Sequence, residues 1–137
     1  ITVADLRKYL ADTEGELPHK LSGGLTFSDD ELVDAMEAGA RAYNSIPPFG
    51  VSTVTPNCMQ SDTLLFFNAC GGYALRRRVT LLEQQAVTES AGGVVSDVDA
   101  TARAAMNARA EIMLNEFRTE ARAFKGQRNM AFMFGHV

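Results

Sequence analysis

The chain contains no tryptophan, only two histidines and only two cysteines among its 137 residues. His19 and His136 fall in a polar connection and at the chain end, and no HExxH, CxxC or GxSxG pattern accompanies them. Zinc-hydrolase, dithiol and serine-nucleophile chemistry therefore have no motif to stand on. Cys58 and Cys70 are twelve apart and in no CxxC arrangement, which reads as two reduced structural thiols rather than a disulfide. The glycine pairs in SGGL and SAGG precede no GK[ST], so they break helices rather than cradle phosphate. No run is long and apolar enough for a membrane span, and ITVADLRKYL lacks the layout of a signal peptide. The expectation is a protein made in the cytoplasm, with no enzymatic role, no cofactor, no metal and no membrane contact.

An excess of positive charge is also missing. The net charge is -4, which argues against wholesale nucleic-acid binding by a basic surface. The charge is unevenly placed. Residues 1–62 hold ten acids and four bases, a balance of -6, whereas residues 76–137 hold seven acids and nine bases, a balance of +2. Complementary halves of this kind suit head-to-tail packing of identical subunits; solvated surface charge is the simpler reading.

What the sequence does contain is helical periodicity. An apolar share of 46% in a chain of this length suffices for one domain with its own core. Thr2 with Asp5 three residues on opens a first helix, which Gly15 and Pro18 are expected to end. Ser28 and Glu31 form a capping box for a second helix, with Phe27 and Leu32 at the positions of a hydrophobic staple. Asp29 and Asp30 in its first turn are explained by the helix dipole rather than by catalysis. Val33, Met36, Ala40 and Tyr43 give this helix its stripe, and Pro47 stops it near Ser45. Residues 47–60 then read as extended.

A third helix from about Ser61 towards Thr88 is apolar on two faces, Leu64, Phe67, Cys70, Ala74 and Leu81 on one and Leu65, Phe66, Ala69 and Tyr73 on the other. Such a helix is buried on two sides. Gly71 and Gly72 within it imply either close backbone approach or a kink. Ser96, Asp97 or Asp99 caps a last helix, whose stripe runs Ala102, Met106, Ala110, Met113, Phe117, Ala121 and Phe124 up to a stop at Gly126. The predicted fold is all-α: an elongated four-helix bundle with a long extended loop after the second helix. Residues 1–126 form the helical domain and residues 127–137 an extended C-terminal docking arm. A last helix over residues 98–125 would span roughly 42 Å, longer than the ~36 Å diameter of a compact domain of this size.

Three segments are candidates for binding. Ile46, Pro47, Pro48, Phe49 and Val51 set apolar side chains around a rigid corner, and prolines present such residues at low entropic cost. Met130, Phe132, Met133 and Phe134 form an uncharged apolar tail beyond a polar spacer. For both segments, packing on the protein's own core is the competing reading. Arg76, Arg77 and Arg78 fan around one helix and suit a subunit interface, DNA phosphates or a solvated surface with i, i+4 partners.

The run FSDDELVDAMEAGARAYNSIPPFG resembles a segment of small virion proteins of tailed bacteriophages, in which an acidic helix start leads to Tyr-Asn and Pro-Pro. TLLFFNACGGYALRRRVTLLEQQA, GGVVSDVDATA and EFRTEARAFKGQRNMAF are similar to the second half of such proteins, so the resemblance spans roughly residues 25–134. It implies an adaptor of the head-to-tail connector, or neck, located in the virion. Such subunits form homo-oligomeric rings, usually dodecameric, beneath the portal protein. They extend a C-terminal arm to the portal or to neighbouring tail or neck proteins, around a channel that passes DNA. The alternative from a different class is a small helical regulator that binds DNA or a host protein.

Overall fold

In the computed structural model, residues 1–11, 27–49, 53–59, 64–91 and 97–134 are described. Among them are four α-helices and no strand: α1 (Val3–Tyr9), α2 (Asp29–Asn44), α3 (Leu64–Ala91) and α4 (Asp97–Met133), with a single 3-10 turn at Pro56–Cys58. The regular structure of the described residues is helical, as the periodicity predicts.

Local chemistry sets the helix starts. The Thr2 hydroxyl accepts from the Asp5 amide while the Asp5 carboxylate accepts from the Thr2 amide, closing a capping box on α1. Ser28 and Glu31 do the same for α2, at 3.2 and 2.7 Å. Phe27 and Leu32, the staple positions, are both buried. At its other end α2 stops at Asn44 with Ser45 as cap, two residues before Pro47.

Two helix ends differ from expectation. α1 ends at Tyr9, because Ala11 turns the chain out with φ 53°, a left-handed conformation usually given to glycine. Gly15 and Pro18 lie outside the described residues, as do Ser61 and Ser96. α4 does not stop at Gly126. It runs on to Met133, so residues 127–133 are helical rather than an extended arm. A glycine ends a helix when it takes up the left-handed conformation; Gly126 keeps the helical one, and a side chain there would meet nothing within 4 Å. Gly126→Ala is therefore expected to stabilise the protein by about 0.5–1 kcal/mol, seen as a higher urea midpoint at unchanged slope.

α3 is the central element, packed on α2 along one side and on α4 along the other, with α1 against α2 and α3. This is the two-sided burial that its two apolar faces imply. Both crossings are antiparallel. Asp34 meets Arg77 and Tyr43 meets Phe66 across α2 and α3, while Arg76 meets Glu111 and Asn68 meets Glu116 across α3 and α4. The glycines permit the approach. A Cβ on Gly72 would sit 2.7 Å from Leu114 Cγ, and one on Gly39 would sit 3.0 Å from Cys70 Sγ. Close packing is thus the reason for Gly72.

The stripes need three corrections. Val33 is exposed, because the buried face of α2 is Leu32, Ala35, Met36, Gly39, Ala40 and Tyr43. Leu64 is exposed at the start of α3. Ala102 is exposed and Met106 half-buried, since α2 begins at Asp29 and does not cover that end of the α3–α4 pair. From Ala110 to Ala121 the stripe is core.

Candidate assembly surface

The corner after α2 is pinned from two directions. The Asn44 side-chain amide donates to the Val54 carbonyl, and its oxygen accepts from the Val54 amide, both at 2.9 Å. Val54 is thereby tied back to the end of α2. Beneath the loop, Lys125 of α4 donates from Nζ to the Ile46 carbonyl at 2.7 Å. That ammonium lies 4.5 Å over the Tyr43 ring, within reach of a cation–π contact. Lys125 is wholly buried, and burial pushes its pKa down. The Ile46 carbonyl immediately precedes Pro47, so the lysine fixes the base of the corner to α4.

What the corner displays follows from this anchoring. Ile46 and Pro48 are half-buried, Ile46 against the core, while Pro47 and Phe49 face outwards, Phe49 at 68% exposure. Val51 lies outside the described residues. Near the end of α4, Met130 (59%), Met133 (69%) and Phe134 (66%) are likewise exposed. Phe132 belongs to the helix, but its side chain lies outside what is described.

These residues share one end of the molecule. Tyr43 stacks obliquely on Phe66 and Phe124, with centroids 5.2 and 6.5 Å apart, and Lys125 reaches Ile46. The end of α2, the start of α3 and the last third of α4 therefore meet there. Phe49, Leu64, Met130, Met133 and Phe134 all sit on or beyond that junction. The sequence reading missed Leu64, assigned to a buried face, and Lys125. The end also carries a charge signature: no aspartate or glutamate follows Glu120, whereas Arg122, Lys125 and Arg128 do.

The three arginines lie at the middle of α3. Arg76 pairs with Glu111 of α4 and Arg77 with Asp34 of α2. Arg78 approaches Glu31 at 3.8 Å with its Nε buried and without a hydrogen-bond partner. Their fan is as the helix geometry requires, and within one chain it ties α3 to both neighbours. The acids that meet them come from adjacent helices, not from i, i+4 positions. Two of the pairs are about half exposed, so each contributes at most about 1 kcal/mol.

Among the described residues, no group of three or more His, Cys, Asp or Glu side chains could hold a metal, and no helix is long and apolar enough to cross a membrane. Comparison with protein-family models, curated proteins and solved structures finds no match for this chain.

Proposed function

We propose that the chain is a structural subunit of a tailed-phage head-to-tail connector, an elongated helical adaptor. In this reading copies form a ring, expected to be dodecameric, that joins the portal end of the head to the tail. Its activity is assembly, and its place is the head–tail junction of the virion. The observation that carries this reading is the cluster of exposed large apolar residues at one end, Phe49, Leu64, Met130, Met133 and Phe134, in a chain whose core is already filled elsewhere. Covering such a side chain with a partner contributes about 1.5–3 kcal/mol before the costs of association. The length of α4, 37 residues or roughly 55 Å, supports a subunit that outruns a compact domain. The resemblance of residues 25–134 to small phage virion proteins supplies the biological setting.

In this assembly the 46–55 loop and the end of α4 reach neighbouring chains, either sister subunits, the portal or an adjoining tail ring. The DNA-binding regulator draws less support, since Arg76, Arg77 and Arg78 already face carboxylates of their own chain. Electron microscopy of the native particle tests the proposal. The expected result is this chain in a ring at the head–tail junction, with Phe49 and Phe134 against other chains. A virion without the protein, or one in which those residues touch nothing, overturns it.

A further inference from the structure

α2 presents a second surface of unusual character. Asp30, Val33, Asp34 and Glu37 fall on one helical face at steps of three, one and three, and all four are exposed. Asp34 shares its carboxylate with Arg77, whereas Asp30 and Glu37 point into solvent; Arg41 closes the row a turn later. An exposed valine among carboxylates calls for a surface that is apolar in places and positively charged around them. The last turns of α4 have that composition. Among the described residues after Glu120 there is no acidic side chain, Arg122 and Arg128 are exposed, and Met130, Met133 and Phe134 are bare.

The apolar parts of these two surfaces cannot meet within one molecule. Tyr43 lies level with Phe124, so Val33 is ten residues back along α2 and Met130 six residues further along α4. At 1.5 Å per residue Val33 and the Met130–Phe134 turn stand at least roughly 24 Å apart along the helix direction. Each complements the other only across a boundary between molecules.

We infer that the last turns of α4 of one copy, Arg122 to Phe134, seat on the Asp30–Val33–Asp34–Glu37 face of α2 of a second copy. This deepens the connector reading, on which it rests for the repeated copies, by naming the contact between neighbours. Such a contact is heterologous: each copy offers its α4 end to one neighbour and its α2 face to the other. The stagger means that the copies close into a ring when their long axes tilt against the ring axis, and otherwise continue as a filament. Charge pairs at the rim set the register and the rate of encounter, while Val33, Met130, Met133 and Phe134 provide the dry centre.

The test uses two charge reversals of the full chain, Asp30→Lys with Glu37→Lys, and Arg122→Glu with Arg128→Glu, none of which lies in the core. Circular dichroism checks that each folds. In sedimentation velocity at low salt, the wild-type chain is expected to assemble, and each reversed variant alone to stay monomeric. Mixing the two variants restores assembly, because every lysine face then finds a glutamate end and every acidic face an arginine end. Wild-type assembly that survives both reversals overturns this contact and leaves the connector reading standing. So does a wild-type chain that stays monomeric at the highest attainable concentration. Binding of the monomeric chain to duplex DNA or to anionic vesicles, abolished by Arg122→Glu with Arg128→Glu, overturns it by assigning the cationic end to another partner. Failure of the connector reading is recognised separately, by the position of the chain in the particle.

Discussion

Gly72→Leu is expected to lower the unfolding free energy by about 3 kcal/mol or more, a large part of the stability of an ordinary domain. Helix propensity alone predicts the opposite sign, since replacing a mid-helix glycine gains up to about 1 kcal/mol. Space decides the matter. A Cβ at position 72 would lie 2.7 Å from Leu114 Cγ and 2.8 Å from its Cδ2, with the Ala110 carbonyl oxygen 3.4 Å away. Leu114 is fully buried and has nowhere to swing, so α4 itself must retreat from α3. That retreat loosens Met113 and Phe117, which are also core residues. Gly71 is the internal contrast. Its closest neighbour would be the terminal methyl of Met113, the movable end of a flexible side chain, so Gly71→Ala is the milder change. Urea unfolding followed by circular dichroism measures both. A Gly72→Leu midpoint equal to the wild type would mean that α3 and α4 do not pack closely at this point.

The features legible in the sequence were those decided locally. Ser28 with Glu31, Thr2 with Asp5, and Pro47 two residues past the cap specify helix ends through neighbours three or four positions away. The stripe from Ala110 to Ala121 was legible because it is covered along its whole length. Periodicity finds a face but not what covers it. Hence Ala102 and Leu64 fit the pattern and are nevertheless exposed. The end of α1 was hidden because Ala11 adopts a conformation that sequence assigns to glycine, while Gly126 suggested a stop that the helix ignores. Lys125 was hidden for a different reason. A lysine beside an apolar stripe is ordinarily solvated, and its partner, the Ile46 carbonyl, lies 79 residues away. The arginine fan was legible from three successive positions, but its carboxylate partners are tertiary. The corner could be read as a corner, whereas the outward turn of Phe49 depends on how Asn44, Val54 and Lys125 fix the loop.

Alkaline pH should destabilise the protein chiefly through the thiol of Cys70. Cys70 is fully buried on α3, its Sγ 3.9 Å from Met59 Sδ and close against the α2 backbone at Gly39. Burial pushes its pKa from 9.0 up to about 12. The folded state therefore prefers the neutral thiol. Its contribution is complete below pH 9 and is lost as pH rises from there towards 12, at about 1.4 kcal/mol per pH unit. Between pH 8 and pH 11 the loss attributable to Cys70 is about 3 kcal/mol. Tyr9, whose hydroxyl donates to Asn68 Oδ1 at 2.6 Å, is also raised by burial and adds a loss of the same sign above pH 10. Lys125 acts the other way: its pKa is lowered, so the cost of burying its charge is relieved as pH rises towards 10.5. Comparison with Cys70→Ala isolates the thiol. That variant loses some packing at every pH, but its stability should fall less steeply above pH 9 than that of the wild type. Equal slopes for the two proteins would show that water reaches Cys70 in the folded state, and that the α2–α3 crossing is not closed around Gly39.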